Sequence, residues 1–196
     1  KLKNLLEQRT AYSRNFEIDS SEVDFYYYKA NVVSNSILKQ NNFISVDIGQ
    51  KHGIEKGMGV MGNDGIVGIV YNCSKNYSSI IPLINTDLQV SVKISSNNFM
   101  GSLSWSGADY RFANMSEVPL HVDIEIGDSI VTSGFSAIFP PNMPVGTIES
   151  YNEIKSLGFY EIKIKLFTDF AELRYVYIVD NKHKAEITEL ENENVK

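Results

Sequence analysis

The stretch Tyr160-Glu161-Ile162-Lys163-Ile164-Lys165-Leu166 alternates apolar and charged residues without a fault. Successive side chains of a strand point to opposite faces, so Ile162, Ile164 and Leu166 share one face while Glu161, Lys163 and Lys165 share the other. A strand with one dry and one wet face needs a sheet that closes its dry side over a core. That requirement governs the rest of the chain, because the same texture returns along most of its length.

Strands are expected at Phe25–Val33, Asn41–Ile48, Val60–Met61, Ile66–Val70, Ser79–Ile84, Gln89–Ile94, Met100–Trp105, His121–Ile126, Ser129–Thr132, Val145–Glu149 and Arg174–Val179. All are rich in β-branched, aromatic or alternating residues. Between them stand turn residues: Gly49, Gly53, Gly57 and Gly59, then Asn63-Asp64-Gly65, then Gly127-Asp128. An Asp-Gly step between two apolar runs predicts a hairpin, since it tolerates positive φ in a tight turn. Short strands spaced every ~8–12 residues predict small antiparallel barrels or sandwiches. No alternation of strands with helical patterns appears, which argues against a parallel α/β core. The pair Gly57-Met58-Gly59-Val60 and Val67-Gly68-Ile69-Val70 is echoed by Gly127-Asp128-Ser129-Ile130 and Val145-Gly146-Thr147-Ile148, as two similar barrels in tandem would produce.

The ends differ from the middle. Leu2, Leu5, Arg9, Tyr12 and Phe16 recur at steps of three and four, the seam spacing of a coiled coil, with Arg9 interrupting it. Residues 1–20 are therefore expected to be the end of a helix that either dimerises or packs on its own domain. Glu17–Asp24 reads as a polar break. From Asn181 the tail is charged, with Ile187, Leu190 and Val195 its apolar residues, and is expected to be a frayed helix or disordered.

Composition narrows the function. A formal net charge of -6 and a pI of about 5.1 carry no electrostatic footprint for nucleic acid. No apolar run is long enough to cross a membrane as a helix. The single cysteine, Cys73, rules out an intrachain disulfide and reads as a small apolar residue in or near a strand.

Residues with catalytic potential are sparse. Of the three histidines, His183 lies in the charged tail and His52 in a turn with no partner that spacing identifies. On a strand, His121, Asp123 and Glu125 would share a face and could approach a metal or serve a hydrolase. Alternate strand residues form a row better than a cage, so the wet side of an amphipathic strand with Val122, Ile124 and Ile126 inside is the plainer reading. Ser133 and Ser136 lack the G-x-S-x-G elbow and a general base. No phosphate-binding loop, dinucleotide fingerprint or zinc motif is present in the sequence. The pattern favours a binding or scaffolding module over an enzyme.

One ordered set of motifs goes further. Val118-Pro119-Leu120-His121 leads into Ile126-Gly127-Asp128-Ser129-Ile130-Val131-Thr132-Ser133-Gly134, then Ile138-Phe139-Pro140-Pro141-Asn142-Met143-Pro144-Val145-Gly146-Thr147-Ile148. Upstream stand Ala30-Asn31-Val32, Asp47-Ile48-Gly49, Glu55-Lys56-Gly57-Met58-Gly59-Val60 and Asp64-Gly65-Ile66-Val67-Gly68-Ile69-Val70. In this order they resemble the bacterial rod shape-determining MreC family, over residues 26–180. In Asp47-Ile48-Gly49-Gln50-Lys51-His52 the Ile and Gln stand around the family's expected Lys-Gly, and Met143 replaces a commoner small or β-branched residue; both departures touch only loops.

The motif residues Gly57, Val60, Gly65, Gly68, Gly127, Asp128, Thr132, Ser133, Gly134, Phe139, Pro140 and Gly146 read as structural. Gly127 and Gly134 can take positive φ, Asp128 can accept from turn amides, Pro140 stiffens a corner, and Phe139 is expected to plug a barrel end.

The resemblance implies a mainly β fold: a helical stem and linker over 1–24, then two small antiparallel six-stranded β-barrels over 25–96 and 97–180, then the tail 181–196. A boundary near Ser96-Asn97-Asn98 is expected, with the first strand able to swap into the second barrel. It also implies a homodimer through Leu2, Leu5, Tyr12 and Phe16, and no cofactor. A single membrane anchor ahead of the stem would place the barrels on the outer, periplasmic face of the cytoplasmic membrane. Contacts with penicillin-binding transpeptidases and with the companion membrane protein MreD are implied too. The partner surface is expected on a barrel face where edge strands and exposed aromatics can dock another chain; Tyr26, Tyr28, Trp105, Tyr110 and Tyr160 are the candidates, though each is more often core or rim packing than a docking anchor. A barrel-type adaptor of an export or efflux assembly is the alternative reading.

Overall fold

The computed structural model describes residues 24–135 and 137–193. Along them run β1 (Phe25–Asn35), β2 (Ile44–Val46), β3 (Gly59–Met61), β4 (Ile66–Cys73), β5 (Ser78–Pro82) and β6 (Gln89–Ile94). Next come β7 (Met100–Ser104), β8 (Phe112–Pro119), β9 (Ser129–Thr132), β10 (Pro144–Ile154), β11 (Phe159–Leu166), β12 (Tyr175–Asn181) and helix α1 (Lys184–Glu193). They close into two six-stranded barrels with antiparallel pairing throughout, in the orders β1-β12-β3-β4-β5-β2 and β10-β11-β8-β7-β6-β9. The expected stem, with Leu2, Leu5, Arg9, Tyr12 and Phe16, lies outside the described residues.

The period-two pattern decides which side chains fill each barrel. In β11, Ile162, Ile164 and Leu166 are buried while Glu161, Lys163 and Lys165 are exposed. Ile130, Ile148, Met115 and Leu103 join them inside the second barrel. Ile44, Val46, Val60, Val70, Ile80, Val176 and Ile178 fill the first. Burying a side chain of this size is worth about 1.5–3 kcal/mol, so a dozen such residues offset much of the cost of ordering the loops.

Several expectations need correction. The barrels are not in tandem, because the second is inserted into the first. β6 belongs to the second barrel, so the chain crosses before residue 89 rather than near Ser96-Asn97-Asn98. β12 returns to the first barrel and pairs with β1 from Phe25↔Asn181 to Asn31↔Tyr175. The strand that crosses back is thus the last, while β1 stays in its own barrel between β12 and β2. Backbone pairing carries no sequence label, so alternation alone could not name these partners.

The segment His121–Ile126 is a loop rather than a strand. Pro119 ends β8, and the chain turns at once, with the Val122 amide donating to the Pro119 carbonyl at 3.1 Å. Val122 and Ile124 are buried as alternation predicts, yet Ile126 is 70% exposed.

β8 itself escaped the sequence reading. Its run Phe-Ala-Asn-Met-Ser-Glu-Val-Pro shows no clean period, because Glu117 sits at φ 69° and shifts the register with β11 between Tyr160 and Ile162. The charged tail contains α1, which begins just after β12.

Two crossings hold the barrels together, and side chains tie the seam between them. Thr168 Oγ1 donates to the Ile66 carbonyl at 2.8 Å, and Asn181 Nδ2 donates to the Ala137 carbonyl at 2.9 Å. Gly65, expected for its positive φ, does not adopt one. Its hairpin forms nonetheless, and the glycine is needed for space: a Cβ there would lie 2.8 Å from the Pro144 carbonyl oxygen of the second barrel.

Candidate functional site

The signature between β9 and β10 folds into one hydrogen-bonded corner. Gly127 and Gly134 lie at φ 94° and 84°, conformations that cost other residues strain. Asp128 Oδ2 accepts from the Glu125 amide at 3.1 Å and from Ser96 Oγ at 3.3 Å. Thr132 is buried, and its Oγ1 donates to the Pro140 carbonyl at 2.6 Å while accepting from the Met143 amide at 2.9 Å. Ser133 Oγ bonds the Ser91 carbonyl and hydroxyl at 3.2 and 3.0 Å and accepts from the Phe135 amide at 3.3 Å.

Phe139, expected at a barrel end, comes from the β9–β10 connection and meets the first barrel. It is buried in the seam between the barrels, with its ring against Gly59 of β3. Gly57, Val60, Gly65 and Gly68 lie along β3, β4 and the turns beside them, and Gly146 lies in β10 opposite Leu166. The corner can hold a shape; its hydroxyls are spent on backbone groups and on the Ser91 hydroxyl.

His121, Asp123 and Glu125 are brought to one loop, all exposed. No group of three or more His, Cys, Asp or Glu among the described residues could hold a metal ion. His52 Nδ1 accepts from the Gly49 amide at 3.1 Å inside a short 3-10 turn, Gln50–His52. Cys73 ends β4, half-buried against the core, and burial pushes its thiol pKa up, which disfavours the reactive thiolate.

The expected docking aromatics divide. Trp105 is 5% exposed, and its indole N–H donates to the Asp109 carbonyl at 2.9 Å, so it is core. Tyr28, Tyr110 and Tyr160 are half-buried, and Tyr26 is exposed beneath the Lys182 ammonium, 4.8 Å from its ring centroid. Sequence reasoning missed the more accessible set on the β10–β11 ribbon. β9 covers β10 only as far as Thr147, and Ile148 makes a last pair of bonds with Gly127 and Asp128. From Ser150 to Ile154, β10 pairs with β11 alone among the described strands, leaving its outer edge open. Tyr151, Leu157 and Phe159 are exposed there, with Leu157 at 70% near the tip and Tyr151 edge-on to Tyr160 at 5.5 Å. An open edge beside apolar side chains is how a sheet accepts another chain. The signal for it was the length of the run from Val145 to Phe159, longer than closing a barrel requires.

A polar cleft lies under α1, lined by Glu55, Lys56, Met58, Asp180, Lys182 and Lys184 with the helix's Glu189 and Glu193. Lys184 Nζ donates to the Gly57 carbonyl at 2.5 Å. Burial lowers the Lys184 pKa, and burial, with Glu55 nearby, raises that of Asp180.

Comparison with known proteins places this architecture. The family model "Rod shape-determining protein MreC, barrel core" matches residues 32–180, spanning the signature corner and both barrels. The chain belongs to the MreC family. It is 24% identical over 190 residues to the cell shape-determining protein MreC of Listeria monocytogenes, covering 95% of this chain and 64% of that protein. A solved structure of Listeria MreC superposes with a TM-score of 0.76 at 23% identity, over 92% of this chain and 87% of that one. MreC solved in complex with a penicillin-binding protein, from Helicobacter pylori, is similar at a TM-score of 0.66 and 21% identity, over 81% of this chain and 99% of that one. The chain thus spans just under two thirds of its Listeria relative's length. MreC proteins are cell shape-determining proteins, and the inserted second barrel is the fold that this chain shares with them.

Proposed function

We propose that this chain is a non-catalytic scaffold for cell-wall elongation, linking membrane-bound shape proteins to peptidoglycan synthases. The observation that carries the reading is the open edge of β10 with Tyr151, Leu157 and Phe159 beside it, on a fold of the family whose Helicobacter pylori member was solved with a penicillin-binding protein. The ribbon offers unpaired backbone groups for affinity and three apolar side chains for selectivity. The signature corner supports it from beneath, because Gly127, Asp128 and Thr132 fix the β9–β10 geometry from which the ribbon projects.

In this reading the chain sits on the periplasmic face of the cytoplasmic membrane behind a single anchor, dimerises through Leu2, Leu5, Tyr12 and Phe16, and also contacts MreD. Titration of the chain with the periplasmic part of an elongation transpeptidase tests the central claim. Saturable binding weakened by changes on the ribbon supports it. Saturable binding indifferent to the ribbon moves the site elsewhere, and no binding at any accessible concentration removes the link. Light scattering tests the dimer separately: a clean monomer at high concentration contradicts the seam's role.

A further inference from the structure

The first barrel carries an uncharged, partly aromatic surface that the open ribbon does not involve. Where β2, β5 and β4 lie side by side, the register places Ser45 opposite Ser79 and Ser79 opposite Asn72. Two strand spacings make this row about 10 Å long. A shallow cavity of about 330 Å³ opens here, and its lining includes Ser45, Asn72, Ser74, Tyr77, Ser78 and Ser79. None of the residues lining it is charged, although the chain carries 24 acids and 18 bases.

The polar groups divide into two sets. Ser74 Oγ donates to the Tyr77 carbonyl at 3.1 Å and accepts from the Tyr77 amide at 3.2 Å, while Ser78 Oγ donates to the Ile48 carbonyl at 2.7 Å. These hydroxyls hold the fold. Those of Ser45, Tyr77 and Ser79 have no hydrogen-bond partner among the described residues, and Asn72 engages only its Oδ1, with the Cys73 amide at 2.9 Å.

Tyr77 is 54% exposed, and its ring meets no other ring or cation among the described residues. The turn that carries it is braced from behind. The Gln50 and Lys51 amides donate to the Ser74 and Lys75 carbonyls at 2.9 and 3.1 Å, and Gly49 packs too close to the Ser74 carbonyl for any Cβ. An exposed ring held by a fixed turn can be covered by a ligand with little cost of ordering it. Tyr71, next to Asn72, is fixed too: it leans on Phe43 at 5.3 Å, with the Lys56 ammonium 5.5 Å over its ring.

The chemistry of this face selects its ligand. An anionic ligand finds no cation in the lining, and an apolar one would strand the hydroxyl row. A peptide strand has no edge to join, because β2, β5 and β4 are each paired on both sides within the closed barrel. A sugar ring fits: its C–H face is apolar and suits an aromatic platform, and its rim of hydroxyls both donates and accepts.

We propose that this face binds a neutral polysaccharide chain, with one sugar ring on Tyr77 and neighbouring hydroxyls bonded to Ser45, Asn72 and Ser79. The proposal goes beyond the scaffold reading and needs neither the transpeptidase nor the ribbon.

Titration of the chain with short oligomers of β-1,4-linked N-acetylglucosamine, and in parallel of β-1,4-linked glucose, tests it through amide chemical shifts. Saturable shifts gathered on Ser45, Asn72, Ser74, Tyr77 and Ser79 are expected with at least one series, at an affinity that added salt leaves unchanged. Binding of the acetylated series alone supports an amino-sugar chain; equal binding of both supports a plain β-linked one. Tyr77→Ala should weaken binding roughly tenfold or more, as loss of an aromatic anchor does. Tyr77→Phe keeps the ring and should bind within about threefold of the wild type. Tyr26→Ala, which removes an exposed tyrosine of β1 outside this face, should change nothing. No shift with either series up to its solubility limit, shifts scattered away from these residues, or binding abolished by salt would overturn the proposal. So would a loss with Tyr77→Phe as large as with Tyr77→Ala, or a protein partner seated here with no response to sugar.

Discussion

Gly59 of β3 and Phe139 of the β9–β10 connection lie so close that a Cβ on residue 59 would stand 2.8 Å from two ring carbons and 2.7 Å from the Ile138 carbonyl oxygen. Two motifs separated in sequence meet here as a single contact, and this contact joins the barrels. The close fit of the two barrels at this point therefore depends on a residue with no side chain facing an aromatic ring.

Gly59→Ala forces that seam apart. Overpacking of this kind costs about 1–3 kcal/mol, read as a lower urea midpoint with an unchanged slope. Phe139→Ala should cost more, about 3–5 kcal/mol, because it empties a buried site. The double variant Gly59→Ala with Phe139→Leu should be less damaged than the sum of its parts, since the two residues touch. Strict additivity would show that the seam is not the coupled contact described.

Asn31 and Asp47 form a pH-sensitive clasp. The Asn31 amide and its Nδ2 donate to Asp47 Oδ1 and Oδ2, each at 2.8 Å, and the Asp47 amide returns a bond to the Asn31 carbonyl at 3.2 Å. The Asn31 side chain, then its backbone amide, holds the Asp47 carboxyl below the usual range. A carboxylate with a depressed folded pKa contributes stability that is present above its unfolded value of about 3.9 and is lost as pH falls through the folded value. The stability gap between the wild type and Asp47→Asn should thus shrink as pH drops below about 4. Urea midpoints at several pH values check this; a gap constant down to the acid limit refutes it.

Thr132 is the buried hinge of the signature corner. Thr132→Val keeps the shape and removes the hydroxyl, stranding the Pro140 carbonyl and weakening the tie to the Met143 amide. An unsatisfied buried group costs about 1–3 kcal/mol, whereas Thr132→Ser keeps both bonds and should lose less. Thermal melts of the three proteins give the order directly.

The ribbon prediction concerns binding alone. Tyr151→Ser and Leu157→Ser alter exposed side chains, so folding stability should move by less than about 0.5 kcal/mol. Loss of an aromatic anchor at an interface costs about 2 kcal/mol or more, so affinity for the transpeptidase should fall by roughly thirtyfold for Tyr151→Ser. Calorimetric titration separates the two effects.

Much of the fold was readable residue by residue. Ile162, Ile164 and Leu166 announced their own burial, and Gly127-Asp128 its own turn, because local sterics and side-chain period act over a few residues. β8 was not readable, because Glu117 breaks its period where it bulges against β11. The segment His121–Ile126 misled for the opposite reason: it keeps the period after Pro119 has already ended the sheet. Trp105 and Tyr151 show the same limit at the candidate site, since both are aromatic residues in β segments, and only the packing around them makes one core and the other surface.

The sequence by itself determined a β protein with glycine- and proline-marked corners, the inward face of its better strands and its kinship to the MreC family. Tertiary structure alone decided that β12 crosses back to β1, that β6 opens the second barrel, and that β10 outruns its neighbour to leave an edge. The reason is physical. Alternation tells a strand which way its side chains point, but main-chain hydrogen bonds carry no residue label, so the choice of neighbour emerges only when the twelve described strands compete to close their barrels.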